Sequence, residues 1–225
     1  MERFKNKIKN ISDFLILIFI YIIVPQVIGM MFYKIFKLPE TTSIYIGNFF
    51  VIIIYFLMYK DILLKSLKDY FKKFSNFSDS LKYWGMGFGI MILSNLIINI
   101  FILKNAGSTN ENLVRESLKI YPIIGFLSIS VVAPFVEEMI FRFGLRKITG
   151  KNKIFPIISA LAFGFAHTIA GLGEGNFLEL LYIIPYGALG YTFGLVYNKS
   201  DNIFSSIVAH MMHNTLVYAL IMLAQ

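Results

Sequence analysis

The sequence predicts an all-α fold, a polytopic transmembrane helical bundle of about seven spans plus one interfacial amphipathic helix. Three observations carry this. Hydrophobic residues make up 57% of the 225 positions and charged residues 15%, against roughly 45–50% and about 25% in a soluble domain. A soluble chain of this size cannot hide that much apolar surface. The apolar residues also fall in unbroken runs near the roughly 20 residues that cross a bilayer as a helix, without the alternation of a barrel strand. The same richness excludes an intrinsically disordered chain. With a cysteine count of 0, a disulfide framework, a thiolate metal site and a cysteine nucleophile are excluded too.

Seven runs are expected as spans, at about 14–33, 42–60, 84–103, 120–145, 154–171, 177–197 and 203–224. The first follows Arg3, Lys5, Lys7 and Lys9, like the front of a signal peptide. It is too long for a signal-peptide core and lacks a small-x-small cleavage site, so it is read as a retained anchor. Between the second and third spans, Ile62, Leu63, Leu67, Tyr70, Phe71 and Phe74 form a helical stripe, with Lys65, Lys68, Lys72 and Lys73 between them. This predicts an amphipathic helix over 61–82, lying on the cytoplasmic face. Asn95 and Asn99, one turn apart in the third span, are expected to join helices by hydrogen bonds.

Lys and Arg collect in cytoplasmic loops, which sets the topology. With the N-terminus inside, sixteen of the 21 basic residues lie inside, in the stretches Arg3–Lys9, Lys60–Lys82 and Arg142–Lys153 and at Lys199. The five outside are Lys34, Lys37, Lys104, Arg115 and Lys119. The expectation is an integral membrane protein of a bacterial cell membrane with a cytoplasmic N-terminus. The net charge of +8 is assigned to contacts with anionic lipid heads. Nucleic acid is not an expected partner, because no basic stripe with interleaved aromatics lies outside the apolar runs.

Ionisable groups inside a bilayer cost several kcal/mol unless paired or hydrated, so their presence marks function. All three histidines, His167, His210 and His213, fall inside apolar runs, as do Glu137 and Glu138. With cytoplasmic ends near 147, 157 and 202, a rise of about 1.5 Å per residue puts Glu137 and His167 roughly 15 Å deep and His210 roughly 12 Å. Three helices thus bring titratable groups to one level. Glu138 and Arg142 are four apart, acid before base, the spacing of an ion pair on one helix face. Glu137 is turned about 100° from Glu138 and faces the other helices. Pro134 is expected to interrupt the helix hydrogen bonds beside it. His210 and Asn214 share a face, with His213 near it, and Phe163 shares a face with His167 and walls the site.

A carboxylate in an apolar cavity acts as a base toward water, and a histidine beside it holds that water. A histidine and an amide together donate to a developing oxyanion. These parts suit hydrolysis of a peptide bond at membrane depth. The bland alternative is that each histidine is a structural hydrogen-bonder. A second alternative is a zinc site from Glu137, His167 and His210, with His213 near by, although HExxH is absent. No cofactor is expected.

Glu137-Glu138-Met139-Ile140-Phe141-Arg142 reads EExxxR, Phe163 to His167 reads FxxxH, and His210 to Asn214 reads HxxxN. In this order on successive helices the motifs resemble the CAAX protease and bacteriocin-processing (CPBP, Abi) family of intramembrane endopeptidases, which includes the type II CAAX prenyl endopeptidases. The resemblance implies a glutamate mechanism, often labelled metallo-. In it Glu137 and His167 activate the water and His210 and Asn214 form the oxyanion site, with Glu138, Arg142 and Phe163 in support. It further implies that 120–225 is the catalytic helical core and 1–119 a variable membrane region, the two forming one integral membrane domain. The implied partners are the lipid bilayer and a membrane-associated protein or peptide substrate. The rivals are a non-enzymatic bacteriocin-immunity or scaffold protein, and a small transporter using Glu137 and the histidines as a proton relay, against which the absence of an inverted repeat counts.

Overall fold

In the computed structural model, which describes residues 2–103 and 107–224, the chain is 91% helical with no strand among the described residues. Eight helices follow in order: α1 (Glu2–Phe36), α2 (Glu40–Lys72), α3 (Phe74–Ile102), α4 (Thr109–Ile120), α5 (Pro122–Thr149), α6 (Phe155–Gly173), α7 (Phe177–Ser200) and α8 (Ile203–Leu223). All but α4 are long and apolar enough to cross a membrane. They carry large apolar side chains on the outer surface, Phe19, Leu57, Leu93 and Leu161 among them. Water does not tolerate such a surface, and lipid does. The protein is an integral membrane protein.

One end of the bundle gathers the start of α1 and the α2–α3, α5–α6 and α7–α8 connections. It is called the basic end below. The other end holds the α1–α2 and α6–α7 connections, α4 and the end of α8.

The 61–82 segment departs from the single interfacial helix expected of it. Through Lys72 it prolongs α2 beyond a kink at Tyr59 (φ −127°, ψ 21°), and from Phe74 it begins α3. The chain breaks at Lys73, in extended backbone. Only part of the stripe meets protein: Leu63 and Tyr70 are buried in the bundle, whereas Ile62, Phe71 and Phe74 stay exposed, and Ser66 Oγ donates to Asn202 Oδ1 at 3.0 Å. Asn202 caps α8 and donates back to the Ser66 carbonyl at 2.7 Å. The amphipathic helix that is not a span is α4, at the opposite end. Its N-cap is Ser108, whose Oγ accepts from Glu111 N, and Glu111 pairs with Arg115 at 2.7 Å.

One core runs between both halves of the chain, with Leu17, Val51 and Tyr55 packed among Val136, Met139, Phe155 and Ile207. Helices α6 and α7 approach closely because small residues face each other. A Cβ on Gly190 would lie 3.0 Å from Ala160 Cα, and one on Gly164 would lie 2.8 Å from the Ile183 carbonyl. In lipid this backbone approach replaces the hydrophobic drive as the source of association.

Candidate active site

The site is built on α5, α6 and α8. Helix α5 is not regular. An α-helical stretch, Ala133–Glu138, lies between two π turns, Ser128–Val132 and Met139–Gly144. Pro134 stands at its start, where its missing N–H and bulky ring disfavour a regular ladder. Each π turn leaves a carbonyl that a neighbouring helix serves. Asn214 Nδ2 on α8 donates to the Ile129 carbonyl at 2.8 Å, and Ser159 Oγ on α6 donates to the Phe141 carbonyl at 2.9 Å. In an environment without water such partners are what make irregular backbone tolerable.

The two glutamates part as the spacing predicts. Glu138 and Arg142 are fully buried, with Arg142 Nη1 3.0 Å from Glu138 Oε1. The contact is charge to charge, since Nη1 makes no well-aligned hydrogen bond. The guanidinium lies over the rings of Phe163 at 4.5 Å and Phe193 at 5.4 Å, and Nη2 donates to the Gly190 carbonyl at 3.3 Å. The same Glu138 oxygen is 2.9 Å from His210 Nδ1. This turns the His210 Nε2 edge away from Arg142 and toward Glu137.

Glu137 Oε2 lies 3.8 Å from His210 Nε2 and 3.8 Å from His167 Nε2. Neither distance is a hydrogen bond, and Oε2 has no hydrogen-bond partner among the described residues. His167 Nδ1 is 2.9 Å from the Phe163 carbonyl. A carbonyl only accepts, so Nδ1 carries a proton, and the Nε2 edge faces Glu137. Phe163, on α6, lies between α5 and α8, its ring centroid 5.6 Å from Phe141, 5.5 Å from His210 and 4.3 Å from His167 on its own helix.

Glu137, His167, His210 and Asn214 all border one cavity of about 360 Å³. His213 borders it as well, its ring edge to face with Phe88 at 5.9 Å. Of the two amides on α3, Asn99 joins helices as expected, accepting from Tyr182 Oη at 2.7 Å. Asn95 lines the cavity instead. No group of three or more His, Cys, Asp or Glu side chains among the described residues is arranged to hold a metal ion.

Sequence reasoning missed Tyr186. Its ring stacks on His167 at 4.6 Å and 27°. Its hydroxyl pairs with Ser108 Oγ at 2.8 Å and accepts from Asn110 Nδ2 at 3.2 Å, so α4 is tied to the site through this one side chain. Glu179 was missed too. Buried in the first turn of α7, it accepts from both N and Oγ1 of Thr109 at 2.8 Å. An acidic residue in the run assigned to the sixth span was the available signal for Glu179. Nothing local marks Tyr186 among 13 tyrosines.

Residues 119–216 match the family described as Type II CAAX prenyl endopeptidase Rce1-like, a stretch that takes in Glu137, His167, His210 and Asn214. The chain is 26% identical over 144 residues to the UPF0177 protein YvdC of Lactococcus lactis subsp. lactis (strain IL1403), covering 61% of this chain and 52% of that one. It is 31% identical over 115 residues to "Putative membrane peptidase YdiL" of Bacillus subtilis (strain 168), covering 49% and 42%. With the UPF0177 protein YaiF of the same Lactococcus strain it shares 27% over 161 residues, covering 64% and 68%. The chain spans about half the length of YvdC and YdiL. No solved structure matches it. The resemblance carried by the three motifs is thus a family-level likeness to CAAX-type intramembrane proteases.

Proposed function

We propose that the chain is an intramembrane endopeptidase that hydrolyses a peptide bond of a membrane-associated protein or peptide with water activated by Glu137. The observation that carries this is one carboxylate oxygen, free of protein hydrogen bonds, facing the Nε2 edges of two imidazoles from two other helices. A water bonded to Glu137 and to the acceptor Nε2 of His167 is oriented for attack on a carbonyl carbon. Glu137 takes its proton as the C–O bond forms, then returns it to the amide nitrogen as the C–N bond breaks, leaving a carboxylate and an amine. His210, held through Nδ1 by Glu138, donates from a protonated Nε2 to the oxyanion. Asn214 keeps one N–H beyond the one given to Ile129 for the same purpose. Its other task is to hold the π turn that precedes Glu137.

Peptide mass mapping of membranes from cells carrying the wild-type chain or Glu137→Gln tests the proposal. Loss of a general base costs about 10²–10⁴-fold in rate, so products seen with the wild type should vanish with Glu137→Gln and with His167→Ala, while both variants still insert. Cleavage retained in either variant refutes the assignment. Under the non-enzymatic immunity or scaffold reading, Glu137→Gln preserves the phenotype.

A further inference from the structure

The imidazole of His167 meets two rings. Phe163 is fixed in the core. Tyr186 stacks on His167 from α7, and its hydroxyl is held by Ser108 Oγ at 2.8 Å and by Asn110 Nδ2 at 3.2 Å. Ser108 caps α4 and Asn110 lies in its first turn, and α4 falls almost wholly outside the family-matched stretch 119–216. A helix of 12 residues is too short to be stable alone. Whatever fastens α4 to the bundle therefore decides where the Tyr186 hydroxyl is held.

Glu179 is that fastening. Its side chain is 1% exposed. Oε1 accepts from both N and Oγ1 of Thr109 at 2.8 Å, and Oε2 has no partner among the described residues. A carboxyl group is costly to bury without hydrogen bonds, and the ones it makes go to a single residue of α4. Gly171 on α6 makes the room. A Cβ there would overlap Glu179 Cγ and stand 2.9 Å from Thr109 Oγ1. Gly171 is four residues beyond His167, on the same face of α6. The anchor and the imidazole are thus one turn apart on one helix.

Resting on the function proposed above, we infer that Glu179 is a positioning residue for the reaction, acting on His167 through α4 and Tyr186. Glu179 fastens Thr109. Thr109 fixes its chain neighbours Ser108 and Asn110, which hold the Tyr186 hydroxyl. The Tyr186 ring then holds His167 with Nε2 3.8 Å from Glu137 Oε2. Glu179 does not border the cavity, so it works through other side chains. A misplacement of about 1 Å can cost on the order of 10²-fold in rate, which is why a distant anchor matters. When the relay is cut, the Phe163 carbonyl, 2.9 Å from His167 Nδ1, still holds the ring. The loss is therefore partial.

Because the chain has only 3 histidines, NMR of the full chain in detergent with isotope-labelled histidine reads the imidazoles one by one. A ring stacked at 4.6 Å sets a ring-current shift on His167. Glu179→Ala should move the His167 signals and leave those of His213 in place. Glu179→Gln, which keeps an acceptor oxygen, should move them less. Thr109→Val removes the hydroxyl from the other side of the contact and should move them too, which keeps the test open if Glu179→Ala does not fold. In a second arm, the product peptides of the wild type are followed in membranes. Their rate of appearance should fall a few-fold in Glu179→Ala. Adding Glu179→Ala to Tyr186→Phe should cost nothing further, since both act through one hydroxyl. His167 signals unmoved in both Glu179→Ala and Thr109→Val, or full additivity of Glu179→Ala with Tyr186→Phe, overturns the inference. The spectroscopic arm needs no substrate. Formation of the wild-type products by Glu137→Gln would instead sink the enzymatic reading, with the His167 shifts as they were.

Discussion

Arg142 is the most tightly specified side chain of the site. Its charge is buried, so removing one member of the Glu138–Arg142 pair leaves the other uncompensated. The loss of a partner costs about 3–5 kcal/mol in comparable buried pairs. Arg142→Met and Glu138→Gln should each lower the thermal unfolding midpoint in detergent strongly, and the double variant should lose less than the sum of the two. Arg142→Lys should not rescue, since an ammonium can neither lie flat between Phe163 and Phe193 nor reach Gly190 in the same fork. Tyr186 is of a different kind. Tyr186→Phe keeps the ring on His167 and removes the ties to Ser108 and Asn110, so a loss of a few-fold in kcat is expected, growing substantially in Tyr186→Ala. Equal activity of the two variants would mean that the stacking does not position His167. The EExxxR, FxxxH and HxxxN residues were legible in the sequence because charge and imidazole are expensive in lipid. Tyr186 was not legible, because its role arises from a contact between α6 and α7.

At the scale of elements, the close approach of α6 and α7 depends on missing side chains. Gly164→Val should disrupt it, because even a Cβ would stand 2.8 Å from backbone oxygen. The variant should show a lower unfolding midpoint and displaced His167, read as lost cleavage. The turn between α7 and α8 holds the basic end together. Asp201, in left-handed backbone with φ of 54°, pairs with Arg146, and Lys151 stands 3.7 Å away. Burial disfavours the Asp201 carboxylate, but the hydrogen bond and charge of Arg146, helped by Lys151, outweigh it and hold the carboxyl below its usual range. A carboxyl depressed in the fold stabilises above its unfolded pKa, about 3.9, and that contribution fades as pH falls through the lower folded value. Asp201 is more than half exposed, so the effect is small. Thermal midpoints of wild type and Asp201→Asn should differ modestly at pH 6 and draw together as pH falls below about 3.9.

For the whole molecule, the glutamate mechanism has a direct test in bulk. Cleavage measured after extensive dialysis against EDTA or phenanthroline should be unchanged, and recovery only on adding Zn²⁺ would replace the mechanism. The bundle encloses its reactive groups with walls from six helices, so catalysis and insertion are separable: variants at Glu137 should keep the wild-type melting profile, and variants at Arg142 should not.

What the sequence by itself determined is the membrane class, the count of seven spans, the pairing of Glu138 with Arg142 and the separate facing of Glu137. These follow from transfer free energy and from helical periodicity, which are properties of a residue and its near neighbours in the chain. The single helix expected over 61–82 shows where that reasoning stops. Its stripe is amphipathic, but Leu63 and Tyr70 bury against protein while Ile62, Phe71 and Phe74 stay exposed, and a stripe does not say which of its residues protein will cover. Only the tertiary structure decided that Asn110, Glu111, Val114 and Arg115 of α4 line the cavity, that Glu138 grips His210 as well as Arg142, and that Asn214 and Ser159 serve the π turns of α5. Each of these is a meeting of side chains from separate helices, fixed by how the bundle packs and written in no local pattern.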